Sequence, residues 1–95
     1  MQKYEIMYIL KANLEEEARK ELIAKLHAIL TEHGATIRDV KEWGLKDLAY
    51  PIKDEIKGYY VVIKITSEPQ ATAEFDRLTK INANVLRHLV VVDQD

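Results

Sequence analysis

The sequence predicts an α+β domain in which a four-stranded, mostly antiparallel sheet carries two helices on one face. Three observations lead there. Hydrophobic periodicity alternates between two and about 3.6 residues along the chain, in the order β-α-β-β-α-β. Each helical segment has a single apolar stripe, so each needs one sheet face to cover it. The right-handed crossover rule then sets the first and third strands side by side at the centre. With 95 residues, close to half of them apolar, residues 1–95 read as one domain around one core.

From Lys3 to Leu10, the residues Tyr4, Ile6, Tyr8 and Leu10 alternate with Lys3, Glu5, Met7 and Ile9. The apolar Met7 and Ile9 on the second face suit a central strand. Asn13 is a candidate N-cap with Glu16 in the capping-box relation, and Ala18, Leu22, Leu26, Ile29 and Leu30 form the stripe of a helix that Gly34 ends. His27 and His33 lack the i, i+4 spacing of a helical metal pair and are assigned to the surface. Ala35 to Trp43 reads as a charged edge strand, either with a bulge near Arg38 and Asp39 or with a facing that changes part way, which leaves the parity around Val40 open. Lys57-Gly58 is the turn signal before the strongly β segment Tyr59 to Ile65, where Tyr59, Val61, Ile63 and Ile65 alternate with Tyr60, Val62 and Lys64. Ser67-Glu68-Pro69 opens a second helix with Ala71, Phe75 and Leu78 on its stripe, ending near Asn82. Val85 to Val92 closes the chain as a strand whose apolar character is broken only by Arg87 and His88. This order is the ferredoxin-like split βαβ arrangement.

Composition narrows function mainly by exclusion. The chain has no cysteine, which removes disulfide scaffolds, thiolate zinc sites and thiol catalysis. No stretch approaches the roughly 18 apolar residues of a membrane span, and no apolar run follows a basic leader. A soluble, unprocessed cytoplasmic protein is expected. Formal charge is −2 with the signs interspersed, so any polyanion must be met locally or through a partner that brings positive charge.

The fold hosts many functions, so the choice rests on sites. An acylphosphatase-like enzyme needs a phosphate-cradling loop with an arginine after the first strand, where this chain has Lys11-Ala12-Asn13. A metal carrier of this topology needs a Cys-x-x-Cys pair. An RNA-recognition domain stacks bases on aromatics of its two central strands. Tyr60 could serve, but the matching face of the first strand offers only Lys3, Glu5, Met7 and Ile9. Glu15, Glu16 and Glu17 are explained by the helix dipole, Asp54 and Glu55 by a solvated turn, and His88 by packing. No nucleophile is paired with a base. Neither a catalytic residue, a metal site nor a cofactor is expected.

The run Gly44-Leu45-Lys46-Asp47-Leu48-Ala49-Tyr50-Pro51-Ile52-Lys53 resembles the signature of the bacterial small-subunit ribosomal protein six family. Lys3-Tyr4-Glu5 is similar to that family's opening. Asn82-Ala83-Asn84-Val85-Leu86-Arg87 is similar to the segment before its last strand, with Ala83 where the family has Asp. The resemblance covers the whole chain. It implies a ferredoxin-like structural protein of the small ribosomal subunit that pairs with ribosomal protein eighteen and binds the central domain of small-subunit ribosomal RNA as that heterodimer. It implies no catalysis, and a basic partner would account for the weak charge of this chain.

Carried over by position, the resemblance implies RNA contacts at Lys46, Lys53 and Tyr50. Leu45 and Gln2 stand where many relatives have arginine, which removes two possible phosphate contacts. Some relatives also carry a long charged tail, whereas this sequence ends at Asp95. From the residues themselves, Lys46 and Lys53 are equally explained as solvated hairpin charges, and Tyr50 as a packed ring before Pro51. Lys3 and Arg87 are expected to form a small basic corner for a phosphate. Met7, Ile9, Tyr60 and Val62 are expected on the open sheet face, an apolar patch that a protein partner would cover. The rival class is a regulatory domain binding a small metabolite between the subunits of a homo-oligomer. That class would need a glycine-bearing loop after the first strand.

Overall fold

A computed structural model describes residues 1–93 of the chain, so the Asp95 end lies outside the described residues. The elements are β1 (Gln2–Lys11), α1 (Glu16–Glu32), β2 (Thr36–Ile52), β3 (Glu55–Ser67), α2 (Pro69–Lys80) and β4 (Val85–Val92). The sheet order is β2-β3-β1-β4 with every pair antiparallel, which puts β1 and β3 at the centre as expected. Alternation along the central strands buries Tyr4, Ile6, Tyr8, Leu10, Val61, Ile63 and Ile65. Leu22, Leu26 and Leu30 of α1 and Ala71 and Phe75 of α2 pack into the same core. No helix among the described residues is long and apolar enough to cross a membrane.

Helix α1 departs from the expected start. Its N-cap is Glu15, with no side-chain cap bond, and Asn13 lies in the preceding turn. The two additional non-helical residues let Leu14 pack against the core before the helix begins. The other end is as expected. Gly34 has φ +90°, and the amides of Gly34 and Ala35 bond the Thr31 and Leu30 carbonyls at 3.1 and 3.0 Å, a Schellman closure.

His27 is half-buried rather than simply at the surface. Its Nε2 lies 2.8 Å from the Tyr8 hydroxyl, and its ring meets Tyr8 edge-on. Tyr8 also packs on Phe75, which meets His88, whose Nε2 is 2.5 Å from Asp76. Burial holds the His27 imidazole below its ordinary pKa, with Glu42 partly offsetting this. An unfolded chain protonates His27 near pH 6.5, whereas the folded chain does so only at lower pH. Between those values the unfolded state holds more protons, so stability should fall as pH drops below about 6.5. Denaturant midpoints measured from pH 7.5 to 5 should show this slope, and His27→Gln should flatten it.

The hairpin between β2 and β3 differs most from expectation. Its turn is Lys53-Asp54, both residues at positive φ (49° and 66°), a two-residue loop between the paired Ile52 and Glu55. Lys57-Gly58 is therefore not the turn. Gly58 is buried inside β3, where its missing side chain admits Ile9. The ladder shifts register between Ile37 and Asp39, between Glu42 and Gly44, and between Asp47 and Ile52. The first shift, near Arg38, is the bulge, one of the two alternatives expected there, and the last contains Pro51, which has no amide to donate.

Candidate functional site

Directly paired residues share a sheet face, so the register lays out the surface opposite the helices. One row across it reads Lys41, Val62, Met7 and Leu89. The next, towards the hairpin turn, has Gly44, Tyr60, Ile9 and Arg87, and the row on the other side has Asp39, Lys64, Glu5 and Val91. Both ends of this face are closed by the chain itself.

At one end the outer part of β2 bends over the sheet. Leu48, Ala49, Tyr50 and Ile52 line a shallow cavity of about 120 Å³ with Met7, Ile9, Tyr60 and Arg87. Two polar contacts carry the bend to the far edge. Arg87 donates to the Tyr50 hydroxyl at 2.8 Å, and the Lys53 ammonium donates to the Val85 carbonyl at 3.3 Å. At the other end Asp93, directly after β4, accepts from Arg38 at 3.2 Å and lies 4.0 Å from the Lys64 ammonium. Between these closures Met7 and Val62 are half-buried, while Leu89 and Val91 are exposed.

This geometry regroups the residues expected to bind. Met7, Val62 and Tyr60 do lie on the open face. Ile9 shares it by register, but the bent hairpin leaves it only 3 % exposed, so it supports the surface rather than presenting one. Lys3 and Arg87 do not form a corner. Arg87 pairs with Ile9, and the Lys3 carbonyl accepts from the Asp93 amide. Six residues of extended strand, about 20 Å, separate them. The basic group that forms instead is Lys53 and Arg87 beside Tyr50. Lys46 stands apart and exposed, its ammonium 5.7 Å from the centroid of Trp43.

Residues 3–92 match the family model described as ribosomal protein S6. The chain belongs to the ribosomal protein S6 family. It is also similar to the crystal structure of 30S ribosomal protein S6 from Thermotoga maritima, at 27 % identity over 97 % of this chain and 87 % of that one, with a TM-score of 0.92. Membership of the S6 family gives the chain a structural role in the small ribosomal subunit. The ferredoxin-like fold is common to both structures.

Sequence reasoning passed over two residues of this S6 surface. Leu89 completes the Val62–Met7 row and is 46 % exposed. Its signal was available, since it shares strand parity with Arg87. Trp43 is 51 % exposed and stacks on Tyr60, with ring centroids 6.4 Å apart and planes 13° from parallel. Gly44, at φ +86°, forms the bulge that places both Trp43 and Gly44 against Tyr60.

Proposed function

We infer that this S6-family chain binds the central domain of small-subunit ribosomal RNA as a heterodimer with ribosomal protein eighteen. The observation that carries the reading is the apolar row Val62, Met7 and Leu89, left open between two ends that the chain closes for itself. A surface with its flanks built and its apolar centre uncovered suits a protein partner. The net charge of −2 supports a division of labour in which the partner brings most of the phosphate neutralisation. Lys53 and Arg87, fixed by the hairpin at the rim of that surface, and the exposed Lys46 are this chain's own candidates for the backbone. Lys3, at the other end of β1, is a separate and weaker candidate.

The test is gel-shift titration of a central-domain rRNA fragment with the purified chain, with ribosomal protein eighteen, and with both. Tight binding is expected only for the mixture. Equal binding by either protein alone, or a homo-oligomer formed on adding a small metabolite, would overturn the reading.

A further inference from the structure

From Lys41 to Asp47 the edge strand β2 sorts its charges by face. Paired partners place Lys41 and Lys46 on the open face, opposite Val62 and Gly58, and Glu42 and Asp47 on the other, opposite Val61 and Lys57. The acids on that second face are occupied: Glu42 accepts from the Tyr59 hydroxyl at 2.7 Å, and Asp47 lies 4.0 Å from the Lys57 ammonium. On the open face, between the two lysines, stands Trp43. One of its ring faces lies against Tyr60, and the Lys46 ammonium is 5.7 Å from its centroid.

A large aromatic held half-exposed on a bulge costs burial energy that the fold does not recover, and stacking on Tyr60 fixes its plane. A rigid aromatic plane between two cations on a sheet is what an unpaired nucleotide requires: the ring offers a surface for the base, and the ammonium groups meet the flanking phosphates. A duplex would present only backbone here, because its bases are already stacked. A protein partner would favour the uncharged Val62–Met7–Leu89 row over a tryptophan bracketed by lysines.

We propose that Trp43, stacked on Tyr60 and flanked by Lys41 and Lys46, is a subsite for an unpaired nucleobase of RNA. This deepens, and rests on, the inference that the chain binds ribosomal RNA. The flexible Lys46 stem yields the outer ring face to the base while its ammonium engages a neighbouring phosphate. Tyr60 is thereby a support for Trp43 rather than a direct partner contact.

Trp43 is the only tryptophan in the chain, so its fluorescence reads the site directly. The chain of residues 1–95, alone and paired with ribosomal protein eighteen, is titrated with single-stranded eight-nucleotide oligoadenylate and oligouridylate and with a duplex of the two. Saturable quenching by the single strands but not by the duplex is expected. Trp43→Leu should weaken single-strand binding about 5- to 150-fold while Trp43→Phe keeps most of it. Lys46→Ala should lower the slope of log affinity against log salt by about 0.7. Circular dichroism checks that each variant folds. If the heterodimer still assembles on the rRNA fragment while Trp43→Leu leaves both single-strand and fragment affinity unchanged, the subsite is overturned and RNA binding by the chain stands. If ribosomal protein eighteen alone quenches Trp43 and blocks the oligonucleotide response, the ring is a protein contact and the subsite is equally overturned. Failure of the heterodimer to bind any RNA would overturn the underlying reading itself.

Discussion

Gly58→Ala is expected to destabilise the chain by about 1–3 kcal/mol, the cost of forcing extra volume into a filled site. A Cβ at this position would lie well inside van der Waals contact with Cγ2 of Ile9, and 3.5 Å from both the Leu10 carbonyl oxygen and Leu48 Cδ2. Ile9 cannot move aside cheaply. It is β-branched and stiff at χ1, buried to 3 % exposure, and roofed by the bent hairpin. The backbone conformation of Gly58 is not the obstacle, since its φ is not positive; the demand is for space. Thermal melting should register about 4–8 °C per kcal/mol in a domain of this size. Combining Gly58→Ala with Ile9→Ala separates the cause. If the clash with Ile9 is the source, the double variant should be more stable than the sum of the two single losses predicts, because neighbours that share a contact do not add. Strict additivity would show that the loss arises elsewhere.

The same glycine marks where the sequence was and was not legible. Signals carried within a few residues read through well: the strand parities of β1 and β3, the Gly34 closure and the Val85–Val92 strand. Gly58 was read as a turn because glycine next to lysine satisfies local turn chemistry, yet its role is to admit a side chain from another strand. The true turn, Lys53-Asp54, contains neither glycine nor asparagine, and only closure of the surrounding ladder makes two positive φ values there worth their cost. His27 falls outside the apolar stripe of α1, and nothing near it in sequence announces Tyr8, nineteen positions away.

The candidate site was legible as two unconnected parts. The signature run identified the family, and parity placed Met7, Tyr60 and Val62 on one face. What no local pattern carried was the bend of the hairpin over that face, which takes Tyr50 and Lys53 to β4, and the register of β4 on β1, which sets Arg87 about 20 Å from Lys3. A run first read as outward-facing contacts is therefore also a structural strap. Its lysine and tyrosine hold a sheet edge while remaining at the rim of the apolar row.

That row sets the largest effect expected on assembly. If the chain pairs with ribosomal protein eighteen as inferred above, Val62→Asp should weaken that binding by at least about 30-fold while leaving the isolated chain folded. Val62 lies centrally, flanked in register by Met7 and Lys41, and in the free chain its half-exposed position lets a carboxylate stay hydrated beside the lysines of the same face. The cost there is limited to strand propensity and lost packing, about 1 kcal/mol. In a complex that covers the row, the carboxylate must shed its water among Met7, Leu89 and an apolar partner surface. Burying an uncompensated charge at the centre of an interface costs about 2–5 kcal/mol, which sets the expected factor. Calorimetric titration with the partner measures it, and Val62→Thr, which preserves shape without adding charge, should lose far less. Unchanged affinity for Val62→Asp would remove the open face from the interface and leave the strap and its basic rim as the remaining candidate surface.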